Sequence, residues 1–200
     1  MTEESKALTK AGTGTQLDQT MAVVKAANID VGTVDMDGAE TISMGGVTKW
    51  VDLRAFQEDP NAAQNKPVKG NGKAFAGALL SRQEIEVSDS ESGEVKADGT
   101  KVRFFYLLRL AAPCPVTYKN EEKETIEETA EVGEIVAIGE RHHLRPLRDL
   151  CEDGGLYVLV IQPHSRIKIG GGQTMWTFNI VKKTVRPPVK MQVIPAKAPF

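Results

Sequence analysis

Residues 101–110 read Lys-Val-Arg-Phe-Phe-Tyr-Leu-Leu-Arg-Leu, and this stretch restricts the fold more tightly than the rest of the chain. Its side chains alternate with the two-residue period of a β-strand. Val102, Phe104, Tyr106, Leu108 and Leu110 fall on one face, and Arg103, Phe105, Leu107 and Arg109 on the other. The first face is apolar apart from one hydroxyl and belongs in a core. The second sets two arginines beside a phenylalanine and a leucine, and an apolar surface of that kind marks an interface. Such a strand predicts a β-sheet with something laid across it.

The flanking sequence extends this reading. Residues 1–15 are polar and small, with no hydrophobic period. Residues 16–27 predict a short helix with Leu17, Met21, Val24 and Ala27 on one stripe. Short apolar pieces between glycines follow, ending in an expected strand from Trp50 to Phe56. Residues 1–60 are thus expected to form an N-terminal arm with short helix and strand pieces. Residues 61–72 are rich in Asn, Gln, Lys and Gly and predict a linker.

From Lys73 the pattern becomes that of strands. The first is expected over 74–87, with Gly77 as a place for a bulge. The second is 101–110, running on through Pro113 and Pro115 to Tyr118, and the third covers 125–139. A helix is predicted over 142–151, with Leu144, Leu147, Leu150 and Cys151 along one face. Pro146 suits its first turn and Gly154-Gly155 its end. The fourth strand runs from Leu156 past Pro163 to Ile169, Gly170–Gly172 make a turn, and Thr174–Val181 form the fifth. The folded unit is expected over 73–186, followed by a basic extended tail at 187–200.

Five strands with one helix between the third and fourth resemble the OB-fold. The long glycine-containing first strand, the helix placement and the glycine-rich loop between the last two strands carry the likeness. It implies a mainly β, five-stranded Greek-key barrel that recognises single-stranded nucleic acid on strands two and three. The chain resembles bacterial single-strand-binding proteins in ending on Pro199-Phe200, but their tails are acidic there, whereas this one carries Lys190 and Lys197. It is also similar in flavour to small phage-encoded proteins. The resemblance implies a DNA-binding role in replication, in the cytoplasm (that of the host for a phage protein).

Charge is unevenly distributed. No acidic residue follows Asp153, and the remainder carries Arg166, Lys168, Lys182, Lys183, Arg186, Lys190 and Lys197. Residues 121–140 carry Glu121, Glu122, Glu124, Glu127, Glu128, Glu131, Glu134 and Glu140 against Lys123. Such asymmetry fits nucleic-acid contact and equally fits two solvated surfaces of opposite sign. Cations to follow phosphates and flat rings to stack on bases are the residue types single strands require. The candidate contacts are Arg103, Phe105, Arg109, Arg166, Lys168, Lys182 and Lys183. The acidic loop at 89–94 repels a polyanion. The competing reading covers Phe105 and Leu107 with the N-terminal arm, through Trp50 or Phe56, and leaves the arginines at the rim. A second function follows from the arms: an assembly protein, such as a virion component, forming a homo-oligomer as its arms order on neighbouring subunits.

Catalysis is not expected. No nucleophile elbow, phosphate loop or dinucleotide motif is present, and Gly170-Gly-Gly-Gln-Thr lacks the lysine and helix of a phosphate loop. His142, His143, His164, Cys114 and Cys151 match no metal or redox spacing, so no metal or cofactor is expected. The cysteines read as reduced; pairing them depends on geometry that spacing does not reveal. No apolar run approaches the ~18 residues of a membrane span, and the N-terminus lacks a signal-peptide pattern.

Overall fold

The computed structural model describes residues 48–88, 91, 93–140 and 144–186. The helix expected over 16–27, the apolar pieces before Thr48, His142, His143 and the 187–200 tail lie outside the described residues.

Ten strands form one sheet among those residues. They are β1 (Trp50–Val51), β2 (Val68–Lys69), β3 (Phe75–Glu86), β4 (Glu94–Val95) and β5 (Lys101–Leu110), then β6 (Cys114–Lys119), β7 (Thr125–Ala130), β8 (Ile135–Gly139), β9 (Leu156–Lys168) and β10 (Thr174–Arg186). One helix, α1 (Leu147–Glu152), lies between β8 and β9, and 3-10 turns occupy Leu53–Phe56 and Gly170–Gly172. The sheet order is β10-β9-β3-β5-β8-β1-β6-β7, with β2 beside β9 and β4 beside β5. Every pairing is antiparallel except β1 with β8.

The mainly β character agrees with the sequence, and the helix expected over 142–151 is found, among the described residues, as the shorter Leu147–Glu152, but the five-stranded closed barrel does not form. Among the described residues β10 pairs only with β9 and β7 only with β6, so the ends do not meet and the sheet stays open. Two breaks turn the five expected strands into seven, and β1, β2 and β4 add three more from the expected arm, linker and acidic loop. The chain leaves the sheet at Ala111–Pro113, so the expected second strand becomes β5 and β6, which are not neighbours. The expected third strand splits at Gly133, whose φ of 87° favours glycine. β7 then folds back on β6, while β8 crosses to β5. The bulge in β3 lies between Leu79 and Ser81, not at Gly77. Gly77 serves a close approach instead: a Cβ there would sit 2.7 Å from the Arg109 carbonyl oxygen.

The main core lies on one face of the sheet. Tyr106, Leu108 and Leu110 of β5 meet Phe75 of β3 and Leu159 and Ile161 of β9. Leu144 and Leu147 are buried against them, with Leu150 and Cys151 packed alongside, so the predicted apolar face of the helix is the one that docks. A smaller cluster occupies the opposite face: Phe105, Leu107 and Ala137, with Trp50, Leu80 and Ile135 packed on it. β5 is thus covered on both faces at its centre.

The stretch read as a linker is tied to the sheet. Gln57 bridges to Gly70, Asn71 donates to the Ala55 carbonyl at 2.9 Å, and β2 pairs with β9 at Arg166 and Ser165. Arg166 is 6% exposed, and its guanidinium donates to the carbonyls of Lys66 (3.0 Å) and Ala63 (2.8 Å). A buried cation that saturates backbone carbonyls is a clamp, since each such bond to a charged group contributes about 1.5–3 kcal/mol. Arg166→Ala is expected to destabilise the protein by about 2 kcal/mol and to speed amide exchange across residues 62–69. Hydrogen exchange unchanged in that loop would refute the clamp.

Candidate functional site

The sheet parts beside β5. β8 pairs with Phe105 through Arg109, and β4 pairs with Lys101 and Val102. Between these partners, on the edge of β5 away from β3, the Glu140 amide donates to the Phe104 carbonyl at 2.8 Å. A groove of about 770 Å³ opens there, lined by Trp50, Arg103, Phe104, Glu94, Glu140 and Arg145 among others. Trp50 comes from β1, Glu94 from β4, and Arg145 from the turn leading into α1.

Two kinds of ion pair border the groove. Arg103 lies 3.3 Å from Glu91, and Arg145 lies 4.0 Å from Glu94, with all four side chains well exposed. Exposed pairs of this kind contribute about 0–1 kcal/mol and exchange readily for another anion. Glu140 is different. Its side chain is 9% exposed and receives Arg82 at 2.6 Å and the Tyr106 hydroxyl at 2.8 Å. The Arg82 guanidinium also lies 3.6 Å from the centre of the Phe104 ring, a cation–π contact. Burial alone would raise the Glu140 carboxyl, but the bonds from Arg82 and Tyr106 outweigh it and hold it below the usual carboxylate range. Burial and the same carboxylate push the Tyr106 phenol well above its ordinary value. Glu140 lines the groove, and its pair with Arg82 stays charged at neutral pH while the Tyr106 phenol stays neutral.

The candidate contacts divide. Arg103 is exposed on the groove. Phe105 is 3% exposed, because the Trp50 ring lies 5.3 Å from it, tilted by 60°. The arm reading, through Trp50, therefore describes the covering of this face. Phe56 is buried in the main core on the other face, against Phe75. Arg109 is half-buried on the Phe105 face, opposite Ala78 and Ile135. Arg166 is the clamp described above. Lys168 stands opposite Thr174 at the turn end of the β9–β10 hairpin, whereas Lys182 and Lys183 stand opposite Leu159 and Val158. Eight residue steps, or about 26 Å at 3.3 Å each, separate Thr174 from Lys182 along β10. The seven residues are dispersed over the sheet, and of them Arg103 and Phe105 line the groove.

Trp50, Phe104 and Arg145 line the groove and were not among the candidate contacts. Trp50 was legible as a cover for Phe105 but not as a wall of the groove. Alternation places Phe104 on the core face. Arg145 was obscured because it falls within the predicted helix.

The remaining reactive groups offer little chemistry. Both cysteines are free, and burial pushes the thiols of Cys114 and Cys151 up to about 12. Among the described residues no group of three His, Cys, Asp or Glu side chains is placed to hold a metal. No described helix is long and apolar enough to cross a membrane. Comparisons with protein-family models, curated proteins and solved structures found no match.

Removing the carboxylate leaves Arg82 half-covered without its counter-ion, so Glu140→Gln is expected to cost about 2 kcal/mol at pH 7. The folded carboxyl titrates below its unfolded value, so its contribution is complete above about pH 5 and is lost as pH falls through the folded value. Denaturant titrations of both proteins should therefore show a gap that narrows as pH falls below the ordinary carboxyl value. A gap independent of pH would mean that the side chain acts through packing and not through charge.

Proposed function

We propose that the chain binds single-stranded nucleic acid, foremost DNA, in the groove beside β5. What supports this reading is the pairing of aromatic and cationic side chains there: Trp50 and Phe104 beside Arg103 and Arg145. Bases stack on rings at about 1–3 kcal/mol each, and arginines follow the phosphates. Trp50 takes the stacking part that alternation assigned to Phe105, since it lies over that ring and is itself only half-buried. The carboxylates at the rim do not forbid a polyanion. Glu91 and Glu94 are held by the two arginines in exposed pairs, and a phosphate replaces a carboxylate there at small cost. Of the earlier candidates Arg103 carries the reading. Phe105 and Arg166 contribute through folding.

Fluorescence anisotropy of a labelled oligothymidylate tests it. Affinity is expected to fall as salt rises, and Arg103→Ala or Arg145→Ala should each reduce the slope of log K against log salt by about 0.7. Intrinsic fluorescence gives a second readout. Trp176 is 6% exposed, so quenching on binding should come from Trp50 and vanish in Trp50→Phe. Absence of binding at low salt would overturn the reading.

A further inference from the structure

The open sheet ends on two strands of opposite charge. β10 is thirteen residues long, and its last five, Lys182, Lys183, Thr184, Val185 and Arg186, are exposed. β7 carries Glu127 and Glu128, with Glu124 immediately before it. Among the described residues neither strand has an outer neighbour. An edge strand presents unpaired N–H and C=O groups to any other chain, and charge is a common way of blunting it. Here the sign matters. Lysine against lysine and glutamate against glutamate exclude pairing of like edges, but nothing in the charges excludes β7 against β10.

We infer that copies of this chain join head to tail, the β7 edge of one pairing antiparallel with the C-terminal half of the β10 edge of the next. One register satisfies both strands. With Glu128 opposite Lys182, Glu127 falls opposite Lys183 and Thr129 opposite Val181. Directly opposed charges of unlike sign stabilise a strand pair. In the same register Thr125 covers Val185, an apolar side chain 49% exposed in the single copy. Glu124 approaches Arg186 beyond the β10 bulge, where the ladder is irregular. Glu127 and Glu128 already receive Arg54 and Lys49, both at 2.6 Å. A carboxylate has about four lone-pair sites, so a second cation adds without displacing the first. Because the two edges differ, the contact is heterologous and propagates into a ring or filament and not a closed two-fold dimer.

Sedimentation of the full chain at low and high salt provides the test. The wild type is expected to associate with concentration and to dissociate as salt rises. Lys182→Glu with Lys183→Glu, both exposed, should weaken association at least about tenfold. Glu127→Lys with Glu128→Lys should do the same, and an equimolar mixture of the two proteins should restore it. The glutamate variant gives up the Lys49 and Arg54 pairs, so its result mixes folding with association. A mixture of Thr129→Cys and Val181→Cys proteins therefore gives an independent reading: oxidation should cross-link the mixture into mixed dimers and neither variant alone. A wild type that stays monomeric at low salt overturns the inference. So does association unaffected by the lysine reversals, or cross-linking equal in the single variants and the mixture.

Discussion

Two residues join the halves of this sheet. Trp50 and Val51 form β1, which pairs antiparallel with β6 on one side and parallel with β8 on the other. β6 and β8 do not touch in the ladder, so without β1 the order would break into β10-β9-β3-β5-β8 and β6-β7. A two-residue strand has too few ladder bonds to hold itself in place. Its neighbours supply the rest. The Ala137 amide donates to the Lys49 carbonyl at 2.8 Å, and the Asp52 amide to the Pro115 carbonyl at 2.9 Å. The Trp50 ring closes over Phe105, Leu107 and Ala137. Lys49 sits between Glu128 and Glu134, whose bonds raise its basicity above the ordinary lysine value.

That arrangement assigns a task to part of the acidic run. By composition the glutamates of 121–140 form a solvated face. In the fold Glu127, Glu128 and Glu134 take up Arg54 and Lys49, the cations flanking β1. The attraction is between segments far apart in sequence, so it ties the flanks of β1 to β7 and to the turn before β8. Most of these pairs are partly exposed, and each contributes little by itself. Their value lies in acting together on one short strand.

Local pattern accounts for what was legible. The β5 alternation, the long strands β3 and β9, and the apolar face of the α1 region follow from period and turn residues within a dozen positions. The failures are non-local. The period of 125–139 runs across Gly133 with little interruption, because a glycine in mid-strand and a glycine at a left-handed turn look alike in one dimension. β1 is too short to have a period, and its parallel pairing with β8 depends on chain far downstream. The burial of Arg166 had no signal either: an arginine alternating with isoleucines reads as an outward cation, and only the 62–66 loop folding onto it makes it inward.

The mixed face of β5 shows why two opposed readings could share the same residues. Aromatic and cationic side chains together suit a nucleic acid, and they equally suit a protein segment that brings its own ring and leaves the cations at the rim. The structure covers Phe105 with Trp50, but covering one ring with another does not remove aromatic surface from the site. It moves that surface outward by one layer. The inner side of the indole packs against Phe105, while its half-exposed remainder faces the groove beside Arg103. Because β1 is held at both edges and by Lys49, the indole does not have to be ordered when something stacks on it. The residue that completes the sheet is therefore also the pre-positioned wall of the groove, and under the proposed function a substitution there acts on folding and binding together.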